Sequence, residues 1–430
     1  MAVNTIGILL RLAKLWRLFL SFLMLLVVYL HYTHYFYRAS DTTTKSPDDD
    51  DDHLKVILLW IPPKCVDCSP LNNFKRGRRI FEQHNCEYTN CHIMKSHSFY
   101  NDIDFKEFSA ILFSGRTITH TPKEDLPTTR NPSQVYVFVQ LESNTRYPVC
   151  EKRYDDFFNW TMTYRLDSTI PWTYFVVKNK TGAVVAPSNS VSWVKDMEPI
   201  SIKFQYELDS KYKLAAAYIS NCEDSSRRLF FIKTLNQELQ RYNTEVDVYG
   251  DCGKLKCPKN EKTTCLKKLK NKYLFYLASE NSLATDYVSE KVLNAYHYLT
   301  VPIVYGMANY TRFLPPGSYI NGLELGPKRL AAAMNSAFEN RTQYYNYFSW
   351  HNHYTIEDNY KNANVACDLC AKLNTNNRTE RTRHFRRWWN PSLNTKCQKV
   401  YTTTKEWFFV KYTGVYSQLL QGDSNVKQKN

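Results

Sequence analysis

The sequence predicts a membrane-anchored α/β protein whose body contains two consecutive units, each built on a mainly parallel sheet. Three observations predict this class. The chain has 430 residues, which is enough for two or three domains of about 100–200 residues. Short apolar runs alternate with segments of helical spacing, as in strand–helix–strand units. One uncharged, strongly apolar stretch lies near the N-terminus.

The N-terminal stretch predicts a single transmembrane helix. Residues 18–37 contain no charged side chain, and about 20 such residues cross a bilayer as a helix. Basic residues precede this stretch and acidic residues follow it, which predicts a cytosolic tail over 1–17 and a translocated body. A cleaved signal peptide is the alternative, which the lack of a small-x-small motif disfavours. Residues 38–53 are acidic and polar and predict a short stem.

Cysteine usage agrees with a lumenal body. All 12 cysteines follow the apolar stretch, and an even count in a translocated chain predicts disulfides, whose pairing the sequence does not determine. Cys65 and Cys68, like Cys367 and Cys370, also have the ligand spacing of a zinc ribbon. The oxidising compartment favours disulfides over that zinc site.

Five sequons add modest support for lumenal exposure, because the Asn-x-Ser/Thr motif is short. The predicted N-glycosylation sites are Asn159, Asn179, Asn309, Asn340 and Asn377.

The first predicted unit covers residues 54–205. Its predicted strands are residues 56–60, 108–113 and 135–141, each a short apolar run. The last run leads into Glu142, and a carboxylate at a strand end is a candidate general base. A solvated loop glutamate is the alternative.

The second predicted unit covers residues 206–372, and a C-terminal segment follows over 373–430. Its predicted strands are 214–219, 246–250, 272–278 and 301–306, and its predicted helices are 226–242 and 288–299. In open parallel sheets, ligands bind beyond the carboxyl ends of the strands. The residues that follow these strands are therefore the candidates for a site.

Two of these strand ends are followed by a helix that begins with cations, which are Arg227 and Arg228 at one helix start and Lys291 at the other. A helix start offers free N–H groups and a partial positive charge, which suits a phosphate. An anionic ligand would offset the unfavourable place of Lys291 in a first turn. The two cationic helix starts together predict a diphosphate site. Glu290, next to Lys291, could accept hydrogen bonds from sugar hydroxyls. The alternative is an ordinary helix start, capped by Asp286, with Glu290 and Lys291 solvated.

Here the chain resembles the animal α-1,3-fucosyltransferases of glycosyltransferase family 10, over about residues 54–400 and with the motifs in the family's order. The second-unit motifs are Glu280-Asn281-Ser282, Asp286-Tyr287-x-x-Glu290-Lys291, Thr300-Val301-Pro302-Ile303-Val304-Tyr305-Gly306 and Cys367-Asp368-Leu369-Cys370. The first-unit motifs are Gln140-Leu141-Glu142-Ser143 and Asn159-Trp160-Thr161-Met162-Thr163-Tyr164-Arg165.

The resemblance implies a GT-B architecture, with two Rossmann-like domains facing a cleft, in a type II Golgi membrane enzyme with a lumenal catalytic part. It implies hexosyl transfer from GDP-fucose to a GlcNAc hydroxyl of a glycoprotein glycan, on the N-glycan core or an antenna. Glu142 is then the general base. The implied donor-binding residues are Arg165, Arg228, Asn281, Tyr287, Glu290 and Lys291.

The implied reaction needs one base and no obligatory metal. A nucleoside diphosphate leaves readily once its charge is stabilised, and one carboxylate can activate the attacking hydroxyl, as it activates water in inverting glycosidases. Asp102-Ile103-Asp104 has the spacing of a metal motif but precedes the donor unit. We therefore expect no obligatory cofactor, with a divalent cation at most stimulatory.

Three departures from the family pattern leave the charged candidates intact. Thr169 replaces a usual Asp, Ser279 a usual Phe, and Tyr298-Leu299 a usual Ala-Gly pair. A catalytically inactive, glycan-binding paralogue is the alternative from another functional class. The net charge of +15 also admits a nucleic-acid binder, which the membrane and lumenal features disfavour, so we expect no nucleic-acid partner.

Overall fold

The structure is a computed structural model. It describes residues 24, 26, 29, 54–61, 69–95, 105–127, 129–359, 364–375, 381–391 and 397. The anchor and stem predicted over 18–53 lie almost wholly outside these residues, as do Cys65, Cys68, Asn377 and the Asp102-Ile103-Asp104 motif. No helix within the described residues is long and apolar enough to cross a membrane. The chain divides into Met1–Leu54 and a large unit, Lys55–Asn430, which contains all of the sheets.

The first half of the large unit is a six-stranded parallel sheet in the order β2-β1-β3-β4-β5-β6. Its strands are β1 (Lys55–Trp60), β2 (Cys91–Lys95), β3 (Ala110–Ser114), β4 (Val135–Gln140), β5 (Trp160–Thr163) and β6 (Ile170–Pro171). The central strands β3 and β4 are buried at every position, as expected for parallel strands covered on both faces. All three strands predicted for this half are confirmed.

The second half is a five-stranded parallel sheet in the order β10-β9-β11-β12-β13. Its strands are β9 (Lys213–Tyr218), β10 (Val246–Tyr249), β11 (Tyr273–Ser279), β12 (Val301–Tyr305) and β13 (Ile320–Asn321). The central strand β11 is buried throughout. The predicted α/β architecture with two parallel sheets is confirmed.

A third, antiparallel sheet joins the two halves and was not predicted. It consists of β7 (Phe175–Asn179), β8 (Val184–Ala186) and β14 (Tyr354–Asp358). Strand β14 follows the second half in the chain but pairs with β7 of the first half, and a 2.7 Å ion pair between Lys178 and Glu357 spans them.

The described helices are α1 (Arg79–Gln83), α2 (Ile202–Asp209), α3 (Arg228–Leu239), α4 (Lys262–Lys272), α5 (Glu290–His297), α6 (Gly322–Glu339), α7 (Arg341–Asn346), α8 (Asn364–Thr375) and α9 (Phe385–Trp389). Both predicted helices of the second half are confirmed as α3 and α5. The late helix α9 returns to the first half, where Phe385 and Trp389 pack on Phe138 of β4 with ring centroids 4.8 and 5.0 Å away.

Five disulfides lie within the described residues. They are Cys86–Cys367, Cys91–Cys370, Cys150–Cys397, Cys222–Cys252 and Cys257–Cys265. The zinc alternative is therefore wrong, because Cys367 and Cys370 bind Cys86 and Cys91 and have no thiolate left for a metal.

Candidate active site

Arg228 reaches the carboxyl end of β11 from the start of α3. Its Nη1 donates to the carbonyl of Ser279 at 3.0 Å, and its Nη2 donates to the carbonyl of Asn221 at 3.3 Å. Its Nε lies 2.7 Å from Oδ2 of Asp224. The residue is only 4% exposed. These partners fix a cation at the end of the central strand, and two of the five N–H groups of the guanidinium have no partner among the described residues.

Lys291 reaches the same strand end from the first turn of α5. Its Nζ donates to Oε2 of Glu280 at 2.9 Å and to Oγ of Ser289 at 2.7 Å. Burial opposes the charge on Lys291, but the carboxylates of Glu280 and Glu290 outweigh burial and raise the pKa of the ammonium above its usual value. Lys291 is therefore a firmly charged group. Among the described residues its third N–H makes no hydrogen bond, although Oε1 of Glu290 lies 3.7 Å from Nζ.

Glu280 is a site residue that the sequence argument missed. It follows β11, is 1% exposed, and accepts hydrogen bonds from the backbone N–H and the hydroxyl of Ser289. Burial raises the pKa of this carboxyl, and Lys291 opposes that shift. Glu280 is therefore the counter-ion that offsets the unfavourable place of Lys291 in a first helical turn, a role that the sequence suggested for an anionic ligand. The position of Lys291 alone does not demonstrate a phosphate site.

The alternative of a capped helix start with a solvated lysine is also wrong. The N-cap of α5 is Ser289, and the Lys291 side chain is only 15% exposed. Asp286 instead joins the two halves, because its carboxylate accepts from the backbone N–H of Leu166 at 3.2 Å and from Arg312 at 3.2 Å.

Glu142 of the first half contacts Tyr287 of the second. The Tyr287 hydroxyl donates to Oε2 of Glu142 at 3.0 Å. Tyr287 is buried, its ring lies 5.0 Å from that of Tyr164, and burial raises the pKa of its hydroxyl well above the usual value. The hydroxyl is thus a permanent donor. Glu142 is half-buried and bonded, unlike the solvated loop glutamate of the alternative.

The loop that carries Glu142 is held from three sides. The Gln140 side chain accepts from the backbone N–H of Glu142 at 3.0 Å. Tyr174 donates to the carbonyl of Leu141 at 3.0 Å, and Asn144 donates to the carbonyl of Trp389 in α9 at 2.5 Å. A loop fixed in this way presents its carboxylate in one position, as a catalytic base requires.

The remaining donor candidates differ in availability. Oδ1 of Asn281 is buried without a hydrogen-bond partner among the described residues, so it can accept from a ligand. Glu290 is 43% exposed, with Oε1 3.7 Å from Nζ of Lys291. Arg165 is already paired, because Asp167 binds its guanidinium at 2.7 and 2.8 Å and Trp388 of α9 stacks on it at 4.5 Å. These contacts fasten α9 onto the first half, and a donor-binding role of Arg165 stays a prediction.

The comparisons with known proteins identify the family. The descriptions "Fucosyltransferase, N-terminal" and "Glycosyltransferase family 10 (fucosyltransferase) C-term" match residues 52–175 and 208–389. The chain is 34% identical over 320 residues to alpha-(1,3)-fucosyltransferase C of Drosophila melanogaster, covering 73% of this chain and 72% of that protein. The chain belongs to glycosyltransferase family 10. It is therefore a glycosyltransferase of the fucosyltransferase class.

Two further similarities are weaker. This family 10 chain is 30% identical to glycoprotein 3-alpha-L-fucosyltransferase A of Drosophila melanogaster over 74% of its own length and 58% of that protein. A crystal structure of an alpha1,3-fucosyltransferase with GDP-fucose superposes with a TM-score of 0.42 at 15% identity, covering 68% of this chain and 81% of that one.

The sequons of this family 10 enzyme differ in accessibility. Asn309 and Asn340 are exposed, and Asn179 is half-buried. Asn159 is only 6% exposed, and its side-chain oxygen accepts from the backbone N–H of Tyr136 at 2.7 Å. This burial disfavours the predicted glycosylation of Asn159 in the folded protein.

The departures from the family pattern have local structural counterparts. Thr169 exchanges hydrogen bonds of 3.0 and 3.2 Å with Thr161 of β5. The carbonyl of Ser279 receives Arg228. Leu299 has a φ of 52° where α5 ends, and Thr300 closes that end by donating to the carbonyl of Ala295 at 2.9 Å. Such a helix end favours glycine, which explains why the family usually has Gly there.

Proposed function

We propose that this enzyme transfers L-fucose from GDP-β-L-fucose to a GlcNAc hydroxyl of a glycoprotein glycan, forming an α-1,3 linkage with inversion. The observation that carries the proposal is the contact between Glu142 and Tyr287. It brings the candidate base to the loop that leads into Lys291. The relatives' names, alpha-(1,3)-fucosyltransferase C and glycoprotein 3-alpha-L-fucosyltransferase A, support both the linkage and a glycoprotein acceptor.

The proposed step is one displacement. Glu142 takes the proton of the acceptor hydroxyl while that oxygen bonds to C1 of fucose. The bond between C1 and the β-phosphate oxygen breaks, and its electron pair leaves with GDP. Arg228 and the free N–H of Lys291 stabilise the charge that develops on the diphosphate. Attack opposite the leaving group converts the β-linked donor into an α-linked product.

The proposed reaction has no obligatory metal. Two fixed cations at one strand end supply the charge stabilisation that a divalent ion would otherwise provide. We expect a chelator to leave most of the activity, with added Mg²⁺ or Mn²⁺ at most stimulatory. Complete loss of transfer with a chelator, restored by the ion, would contradict this proposal.

We also propose a type II Golgi membrane protein with a lumenal catalytic part. The apolar stretch over 18–37, the exposed sequons and the five disulfides support it, because disulfides persist in oxidising compartments. Protease protection of the body in sealed Golgi vesicles tests this orientation. Digestion of the body without detergent would refute it.

The test of function is transfer by the purified full chain from GDP-fucose to N-glycan core and antennal GlcNAc acceptors, with the product linkage determined by NMR. Glu142→Gln should bind GDP and lose transfer. Glu151→Gln is the matched control, since Glu151 is a partly exposed glutamate of the same half that pairs with Arg153. Glycan binding without transfer to any acceptor would favour the inactive paralogue.

A further inference from the structure

A surface pocket of the second half lies apart from the donor candidates. Its volume is about 440 Å³, within the range of about 300–1,000 Å³ typical of small-molecule sites. The loop after β12, strand β13 and helix α6 form most of it, and none of the proposed catalytic or donor-binding residues lines it. It is therefore separate from the proposed donor site.

The lining has the chemistry of a saccharide site. It includes two half-buried tyrosines, Tyr319 and Tyr347, the amide of Asn321 and the carboxylate of Glu324. Aromatic rings pack on the apolar faces of a ligand while their hydroxyls stay polar, and amide and carboxylate oxygens accept hydrogen bonds from hydroxyl groups. No lysine or arginine lines the pocket, so the lining favours a neutral, polyhydroxylated ligand over an anion.

A sequon lies at the rim of this pocket. Thr311 lines the pocket and is also the third residue of the sequon that begins at Asn309. The Asn309 side chain is exposed, and its Oδ1 accepts from Oγ1 of Thr311 at 2.7 Å. This geometry engages the oxygen of the amide and leaves its nitrogen, the atom that carries an N-glycan, without a hydrogen bond in the described part of the chain.

We propose that Asn309 carries an N-linked glycan whose innermost saccharides occupy this pocket. The proposal rests on the lumenal orientation of the proposed function and does not depend on fucosyl transfer. A short covalent tether gives an effective concentration in the mM range, so weak saccharide contacts suffice to fill the pocket. No residue of the sequons at Asn179 and Asn340 lines it, and the glycans of these two sequons should extend into solvent.

The experiment uses the full chain made in cells whose glycans are held in one oligomannose form. The native protein is treated with an endoglycosidase that cleaves between the two core GlcNAc residues, and release is followed site by site on glycopeptides. With a dissociation constant of about 0.1 mM against a mM effective concentration, Asn309 should be released about ten-fold more slowly than Asn340. After denaturation, the two sites should be released equally fast.

Two substitutions in α6 give a matched pair. Ala333→Leu fills the pocket from its lining and should bring release at Asn309 to the rate of Asn340, whereas Ala332→Leu adds the same side chain at an exposed neighbour that does not line the pocket and should change nothing. An unoccupied Asn309 beside an occupied Asn340, or equal release in the native protein, would overturn the proposal. Absence of glycan from Asn179, Asn309 and Asn340 together would overturn the lumenal orientation as well.

Discussion

Removing the Tyr287 hydroxyl tests the contact between the two halves. In Tyr287→Phe the ring can keep its packing against Tyr164, while the 3.0 Å hydrogen bond to Glu142 and the hydroxyl's hydrogen bond with Tyr174 are lost. A hydrogen bond to a charged group contributes about 1.5–3 kcal/mol, and each 1.36 kcal/mol on a barrier is about ten-fold in rate. Because Glu142 acts on the acceptor in the transition state, we expect kcat to fall roughly 10- to 150-fold with little change in donor KM.

The assay is initial-rate kinetics on the purified full chain with GDP-fucose and acceptor varied independently. Tyr344→Phe is the matched control, since its buried hydroxyl donates at the same 3.0 Å to the carbonyl of Leu274, in the core of the second half. The control should lower the thermal unfolding midpoint and leave kcat unchanged. If Tyr287→Phe retains kcat and loses only GDP affinity, Tyr287 serves the donor and its bond to Glu142 has no part in the reaction.

Three further predictions concern the donor, the helix end and a buried lysine. Lys291→Ala should weaken GDP binding roughly 10- to 150-fold in calorimetry, with circular dichroism to check folding. Unchanged affinity would remove Lys291 from the diphosphate site. Leu299→Ile should lower the unfolding free energy by about 1 kcal/mol or more, because a β-branched residue fits a positive φ poorly, while Leu299→Asn should cost less; the reverse order in urea denaturation would contradict this. Burial lowers the pKa of Lys211 to about 7, so between about pH 7 and 10 the unfolded chain holds a proton that the folded chain has released, and stability should rise with pH. Lys211→Met should flatten that rise in thermal unfolding, and an unchanged slope would exclude Lys211 as its source.

The strands that carry the site were predictable, because buried parallel strands appear in a sequence as short apolar runs between turn residues. The runs at 214–219 and 272–278 correspond to β9 and β11 within one residue at each end. The start of α5 shifts from residue 288 to Glu290, because Ser289 is extended with φ −101° and ψ −172°. The family resemblance named Glu142 and Tyr287 separately, for different roles, and their contact appears only in the folded protein.

The features of the fold and site that the sequence did not predict depend on contacts between distant parts of the chain. Glu280 reads in the sequence as one polar residue after a strand, and only folding brings Lys291 to it. Asp286 resembles an N-cap by position, but its φ of 59° turns it toward Leu166 of the other half. The pairing of β14 with β7 likewise has no local signal, since each strand alone would fit several partners.

The return of the C-terminal segment to the first half has a consequence for biosynthesis. Cys86, Cys91 and Cys150 belong to the first half, yet their partners follow 281, 279 and 247 residues later. At about 5–20 residues per second, the ribosome needs roughly 12 s to a minute to supply them. During that time the three thiols can form non-native disulfides, and Phe138 lacks the cover that α9 provides. A nascent chain that stops before Cys397 therefore leaves Cys150 of the first half without its disulfide partner. If the body is translocated as proposed, oxidoreductases and chaperones of the secretory pathway should therefore affect the yield of this enzyme more than its final stability does.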